Sequence, residues 1–338
     1  MFKSVSYDRV AAMSRQPGRI GNRDDLELVR LATLAASSHN TQPWRFRVGE
    51  QSISIQPDRT RQCPVVDPAD AHLYRSLGCA AENLVQAASL QGYAATVNYD
   101  DVADAVVVSI DATPGVPATD LSRALVTRQC NRGMYDGTPV IPEHIALLME
   151  AGTGPEVSCL ILTGTAEISA LSELVERGNV AQLTDGAFRK ELFGWLRFNP
   201  GGALRKRDGL AGRVNRQPPL PTMLGKIMAP VLISAAAQAK ADRARLASSA
   251  GVAIFIAATK TKEAWVEAGR AYERFALQAE LLDIRSAFLN QPIEVPSLRD
   301  ELRSLLHIAE DPQLLVRFGH GPRAPYSLRR PPQDVIVD

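Results

Sequence analysis

Two stretches in the first third of this 338-residue chain align with two later stretches in the same order. Residues 36–49 align with residues 151–164 at an offset of 115, and each stretch covers a helix end, a loop and a strand. The second match, at an offset of 191, pairs Gly78, Glu82, Ala88 and Leu90 with Gly269, Glu273, Ala279 and Leu281. Helices of similar composition often match at a few positions, but two matches in one order predict an internal repeat.

The two offsets differ by 76, so the second repeat holds about that many extra residues between Gly164 and Gly269. This segment mixes chain breakers with charges, in NPGG at 199–202, RKRDG at 205–209 and PPLP at 218–221. An irregular insertion of this size is typical of a lid, a binding loop or a disordered segment. We expect a lid from about 185 to 240, here called the lid insertion, with repeats at 1–120 and 121–338.

Hydrophobic spacing indicates a mixture of helices and strands, as in an α+β fold. Apolar residues recur at helical spacing over residues 26–36 and 71–91, whereas residues 46–55 alternate with the two-residue period of paired strands. Two short apolar runs, 106–108 and 252–258, are typical of buried strands.

Composition excludes several classes of function. The 38 Lys and Arg residues are balanced by 37 Asp and Glu residues, so no net field would recruit a nucleic acid. The four cysteines have no metal-ligand spacing and are expected to be reduced thiols: Cys63, Cys79, Cys130 and Cys159. The N-terminus lacks a signal-peptide pattern and the apolar runs are too short to cross a bilayer, so we expect a cytoplasmic protein.

Hydroxyl and amide side chains are concentrated in the segment SSHNTQPW at 37–44. Such groups donate and accept hydrogen bonds around a planar heterocycle, and Pro43 and Trp44 stiffen the turn. The alternative is a turn rich in Ser and Asn that precedes a core tryptophan.

Arginines four residues apart, Arg128 and Arg132, can converge on a phosphate through charge-assisted hydrogen bonds. Arg329 and Arg330 add two more cations near the C-terminus. The alternative for each pair is a solvated basic turn. The histidines His72, His144, His307 and His320 lack metal-ligand spacing, and we expect them on helix surfaces or in turns.

These segments resemble elements of the flavin-dependent nitroreductase family. ASSHNTQPW is similar to its PSSxNxQPW element, and TRQCNRGMYDG at 127–137 is similar to its RxSxRxF segment. The segments at 269–292, 312–321 and 327–331 resemble the remainder of the fold. The family usually forms homodimers with an FMN across each interface, whereas this chain resembles the Acg-type subgroup of fused pseudo-dimers with a lid.

Each repeat keeps only half of the FMN-binding residues that the resemblance requires. At the 115 offset, the counterparts of Arg128 and Arg132 are Met13 and Pro17. The second repeat in turn has Gly152, Thr153, Pro155 and Val157 where the first has Ser37, Ser38, Asn40 and Gln42. We therefore expect one FMN between the halves.

The resemblance assigns roles by position. It implies that Arg128 and Arg329 bind the FMN phosphate and that Arg132 lies near N1 and the C2 carbonyl of the flavin. Cys130 stands where the family has serine, which weakens one expected phosphate contact. Asn290 and Gln291 fall at the flavin-contacting loop, and the further basic candidates are Arg330 and Arg245.

The resemblance implies an FMN-dependent oxidoreductase that passes a hydride from NAD(P)H to a nitro-aromatic or quinone-like acceptor. No catalytic acid or base is expected, because the flavin supplies the chemistry. A second hypothesis is a protein that sequesters FMN beneath its lid without turnover, and a third is a structural pseudo-dimer whose basic clusters are solvated. The active unit would be the single chain or a homodimer of it.

Overall fold

A computed structural model of the chain describes residues 6–338, apart from the side chain of residue 232. The fold is α+β, as predicted. The first part of the chain contains α1 (Tyr7–Met13), α2 (Asp25–Ala32), β1 (Trp44–Val48), β2 (Ser52–Pro57), α3 (Ala71–Leu90), β3 (Ala95–Asp100) and β4 (Ala105–Ile110). The second part begins with α4 (Pro142–Ala151), β5 (Val157–Leu162) and α5 (Thr165–Thr184).

The lid insertion follows, with α6 (Gly186–Gly194), β6 (Leu196–Arg197), α7 (Pro200–Lys206), β7 (Leu210–Ala211), α8 (Thr222–Leu232) and α9 (Ala235–Ala247). The chain then forms β8 (Gly251–Ala257), α10 (Lys262–Leu281), β9 (Arg285–Phe288), α11 (Gln291–Glu294), α12 (Pro296–Leu306), β10 (Asp311–Gly319) and β11 (Ile336–Val337). The breaker-rich sequence is therefore mostly short helices, since its Pro and Asn residues begin helices here: Asn199 caps α7 and Pro200 opens it.

The two principal sheets have the same strand order. The first is β11-β1-β2-β4-β3 and the second is β5-β8-β10-β9. All neighbouring pairs are antiparallel except β1 and β11, which are parallel. Without β11, each strand of the first sheet has a counterpart in the second, as expected for tandem repeats. The C-terminal strand β11 completes the first sheet and so brings the preceding segment to the first repeat.

The long helices α3 and α10 pack against each other at the centre of the largest hydrophobic cluster. Two glycines allow their backbones to approach. A β-carbon on Gly78 would lie 2.0 Å from the carbonyl oxygen of Val266, and one on Gly269 would lie 2.0 Å from that of Arg75. Gly78 and Gly269 are one of the pairs matched at the 191 offset, so this match marks the contact between the repeats.

Within residues 6–338 no single helix has both the length and the apolar composition needed to cross a bilayer. The bent pair α8 and α9 meets those criteria together, by length and composition only.

Candidate functional site

Two cavities meet where both repeats and the lid insertion converge. The large cavity has a volume of about 700 Å³, within the usual range of roughly 300–1,000 Å³ for cofactor sites. The small cavity has a volume of about 40 Å³. The two share five lining residues: Ala36, Ser37, Arg132, Leu210 and Phe288.

The loop between α2 and β1 forms one wall of this site. Ser37 lines both cavities and Ser38 lines the large one, as the sequence predicted for flavin-facing groups. His39, Asn40 and Gln42 all have positive φ angles, of 47°, 55° and 55°. Such strained backbone in residues other than glycine persists only where the surroundings hold it. Part of that support is local, because the backbone N–H of Gln42 donates to Ser37 Oγ at 3.1 Å.

Asn40 and Gln42, predicted as flavin contacts, form hydrogen bonds with other parts of the protein. Asn40 lines the small cavity, but its Nδ2 donates to the carbonyl of Gly209 in the lid insertion at 3.1 Å. Gln42 is fully buried and lines neither cavity. Its side chain donates to the carbonyl of Arg207 at 2.8 Å and accepts from the backbone N–H of Arg330 at 2.8 Å. Gln42 thus joins the loop to the lid insertion and to the C-terminal segment.

The predicted phosphate-binding arginines meet in the small cavity. Arg128 and Arg329 are 2% and 7% exposed, so they are not solvated basic turns. Arg132 lines both cavities and forms no hydrogen bond or ion pair with any other described residue. The structure adds Arg15, also 7% exposed, which the sequence comparison passed over. Arg15 lies between Met13 and Pro17, the two positions compared with Arg128 and Arg132. Its position there could have marked it as a candidate phosphate-binding residue.

This cluster contains more positive charge than its surroundings balance. Within the described residues its one carboxylate contact is Glu273, which lies 2.8 Å from Arg128 Nε. Burial lowers the pKa of Arg128, but Glu273 and smaller effects of neighbouring groups together raise it above its usual value. Burial, followed by repulsion from neighbouring arginines, lowers the pKa of Arg329 to about 10 and that of Arg15 well below its usual value. The Nε atoms of Arg15 and Arg329 have no partner in the part of the chain described. The cluster therefore fits a bound anion.

Three other predicted residues lie at the cavities. Cys130 lines the small cavity, and its backbone bridges to Ser286 of β9. Asn290 lines the large cavity, while its Oδ1 accepts from the backbone N–H of Leu315 at 2.9 Å. Gln291 also lines it, and the buried Oε1 of Gln291 has no partner among the described residues.

The two further basic candidates, Arg245 and Arg330, differ in whether they line a cavity. Arg245 lines the large cavity and pairs with Asp242 at 2.7 Å. Arg330 lines neither cavity, and its guanidinium instead lies 3.6 Å from Asp58 and donates to the carbonyl of Asp334 at 2.7 Å.

The expectation for His72 was wrong. His72 is 7% exposed and lines the large cavity, because it is in the first turn of α3 on the side that faces α11. Its Nε2 lies 3.5 Å from Oε1 of Glu294, which also lines the cavity. No spacing signal marks this pair, since more than 200 residues separate its members. In residues 6–338, no group of three or more His, Cys, Asp or Glu is placed to hold a metal ion.

The equivalent glutamate in the other half also pairs with an arginine. Glu82, the counterpart of Glu273, lies 3.2 Å from Arg274, and Arg274 donates to the carbonyls of Ala151 and Thr153 at 3.2 and 3.3 Å. Those carbonyls belong to the loop that aligns with the Ser37 loop. At the 191 offset Arg274 corresponds to the smaller Asn83. Arg274 thus stands beside Glu82 as Arg128 stands beside Glu273.

The chain is similar to NAD(P)H nitroreductases, and this confirms the resemblance that its motifs indicated. The Mycobacterium tuberculosis H37Rv protein Rv3131, named as a candidate NAD(P)H nitroreductase, is 28% identical over 312 residues, covering 88% of this chain and 86% of the relative. The nitroreductase named acg from the same strain is 23% identical over 325 residues, covering 91% and 93%.

Among solved structures, the chain is similar to the FMN-dependent nitroreductase NfnB of Mycobacterium smegmatis in complex with NADPH. That similarity has a TM-score of 0.39 at 15% identity and covers 60% of this chain and 87% of NfnB. No family model matches the chain.

Proposed function

We propose that this chain is an FMN-dependent oxidoreductase that holds one flavin mononucleotide across the two connected cavities. The observation that carries the proposal is the buried arginine cluster of the small cavity, where Arg15 and Arg329 keep unpartnered Nε atoms. A buried excess of positive charge is unfavourable unless an anion compensates it. The large cavity joins the small one and accommodates a bulky group attached to that anion.

The residues divide between the two ends of the cofactor. Arg15, Arg128 and Arg329 would bind the phosphate through charge-assisted hydrogen bonds. Arg132 lines both cavities and would stand beside the ring, where a cation stabilises negative charge on the reduced flavin. The list of ring contacts is completed by Ser37, Ser38, Asn290 and Gln291.

The flavin would supply hydride transfer, from NAD(P)H and onward to an aromatic acceptor such as a quinone or nitro compound. The names of the two mycobacterial relatives support this activity. The chain's own residues would bind and orient the cofactor, and the lid insertion would exclude water from the ring by covering the large cavity with Phe188, Leu192 and Phe198.

The second candidate function is sequestration of FMN without turnover, and the bonds that hold the lid insertion favour it. The backbone N–H of Gly209 donates to the carbonyl of Asn40 at 3.1 Å, and the side chain of Asn40 bonds back to Gly209. Arg61 pairs with Asp208 at 2.5 Å. A nicotinamide needs access to one face of the flavin. These contacts would hold the lid insertion over the large cavity and so keep the nicotinamide out.

Two measurements test these proposals in turn. Titration of purified chain with FMN should give a yellow complex with one flavin per chain, and a chain that takes up none, or two, contradicts the site described here. Anaerobic NADPH should then bleach the bound flavin if the chain is an oxidoreductase. Flavin that stays oxidised under NADPH but is reduced by dithionite supports sequestration instead.

A further inference from the structure

A carboxyl group lies in the wall of the large cavity, where the resemblance implies no acid. Glu294 is the last residue of α11, one turn after Gln291 and therefore close to the proposed flavin contacts. Its Oε2 accepts from the side-chain amide of Gln182 at 2.6 Å, and its Oε1 lies 3.5 Å from Nε2 of His72. The side chain is 16% exposed. Because Glu294 lines the cavity, a bound molecule can reach it.

The contacts of His72 fix which of its ring nitrogens carries the proton. Arg75 Nη1 lies 3.1 Å from Nδ1 of His72, and a guanidinium can only donate. Nδ1 is therefore the acceptor. Burial, followed by the positive charge of Arg75, keeps the pKa of His72 well below its usual value, so the ring is neutral. Its proton is on Nε2, facing Glu294, and His72 orients this carboxyl group rather than protonating it.

Burial brings the pKa of Glu294 close to neutral pH. Burial raises the pKa of Glu294 to about 7, against the hydrogen bond from Gln182. The carboxylate of Asp67 raises the pKa further, while Arg75 and Arg299 lower it. A carboxyl group with a pKa near the working pH is suited to proton transfer, because both its forms are populated.

We propose that Glu294 is the proton donor for reduction of a quinone bound in the large cavity, with His72 and Gln182 as positioning residues. This proposal rests on the function proposed above. Reduction of a quinone to a hydroquinone consumes one hydride, supplied by the reduced flavin, and one proton. The O–H bond of Glu294 breaks as the second hydroquinone O–H bond forms. Arg75 and Arg299 stabilise the carboxylate that remains, and water returns its proton.

The apolar part of the cavity wall suits the ring of a quinone. The lid insertion contributes Phe188, Leu192 and Phe198 to this wall, and β10 contributes Leu314. These apolar side chains suit a planar, uncharged ring.

The test isolates the oxidation of the reduced flavin. FMN-loaded wild type and the variant Glu294→Gln are reduced anaerobically with dithionite and mixed in a stopped-flow instrument with 1,4-benzoquinone or with ferricyanide. Loss of a general acid should slow oxidation by the quinone by about 100-fold and abolish its pH dependence near pH 7. Ferricyanide takes electrons without a proton, so its rate should stay within about twofold. Glu143→Gln, at an exposed position on α4, serves as the matched control.

A second readout does not depend on turnover. Infrared spectra of the flavin-loaded proteins at pH 6 should show a protonated-carboxyl band in wild type that Glu294→Gln lacks. Unchanged quinone kinetics in Glu294→Gln would overturn the proposal, as would an equal loss of rate with ferricyanide, which would indicate a structural role. Failure of the wild type to take up FMN would overturn the proposed function as well, so the two failures are distinguishable.

Discussion

Arg329 allows phosphate binding to be separated from folding. Its guanidinium donates to the carbonyls of Leu34 and Ala35 and to the Asn40 side chain, and within the described residues it pairs with no carboxylate. Burial, followed by repulsion from Arg128, lowers the pKa of Arg329 from its usual value to about 10. At about 1.4 kcal/mol per pH unit, keeping this charge costs the flavin-free protein about 3 kcal/mol. A bound phosphate would compensate for that cost.

Replacing this charge should weaken FMN binding but not binding of riboflavin, which lacks the phosphate. A charge-assisted hydrogen bond contributes about 1.5–3 kcal/mol, so Arg329→Met should raise the Kd for FMN by about 10- to 150-fold. The Kd for riboflavin should change by less than about threefold. The stabilisation that saturating FMN gives against unfolding should decrease by the same 1.5–3 kcal/mol or so, because ligand linkage follows the binding affinity.

Quenching of flavin fluorescence measures both Kd values, and urea unfolding with and without FMN measures the stabilisation. Arg9→Met is the matched control, since Arg9 is an exposed arginine on α1, near Arg15 in the chain. If Arg329→Met weakens FMN and riboflavin binding equally, the residue shapes the cavity but does not bind the phosphate. The assignment of the small cavity would then be wrong.

Three further predictions concern stability, each measured by urea unfolding. The pKa of Glu294 is raised from 4.5 to about 7, so its contribution is full below pH 4.5 and is lost as the pH rises through 7. The stability of wild type relative to Glu294→Gln should therefore fall by about 3 kcal/mol between about pH 4 and pH 8, and a constant difference would contradict a raised pKa. Arg128→Ala should cost about 3–5 kcal/mol, because Glu273 stays buried without a partner, whereas Arg128→Met combined with Glu273→Gln should cost less. Gly78→Ala should cost about 1–3 kcal/mol or more through its clash with the facing backbone, whereas Gly186→Ala, with open space around it, should be close to neutral.

Most regular elements could be predicted because local spacing determines them. The helix expected over residues 71–91 is Ala71–Leu90, and the alternating residues 46–55 lie in the antiparallel pair β1 and β2. The alignment at the 191 offset also paired Gly78 with Gly269, and these two glycines meet the same steric requirement at the helix contact. The helices of the lid insertion could not be predicted from its breakers, because Pro and Asn open helices as readily as they end them.

The candidate site was predictable where the resemblance could be carried over position by position, since residue type alone left a solvated basic turn open. Arg128 and Arg329 both line the small cavity. Other roles depend on contacts between distant parts of the chain, which no local pattern encodes. Gln42 binds Arg330, 288 residues away, and the position of Glu294 beside His72 depends on how α11 packs against α3.

Under the proposed function, the loop before β1 would connect flavin binding to opening of the lid insertion. Ser37 and Ser38 face the cavities, while Asn40 and Gln42, a few residues later, bind the lid insertion. The backbone between them is strained at His39, and such strain costs about 1–3 kcal/mol per residue. The contacts with the lid insertion therefore also maintain the shape of the cavity wall that Ser37 and Ser38 form. A lid that opens must therefore release the same loop that holds the ring. Turnover then requires that loop to re-form in each cycle, whereas sequestration requires only that it stay closed, and the rate at which these bonds break decides between the two functions.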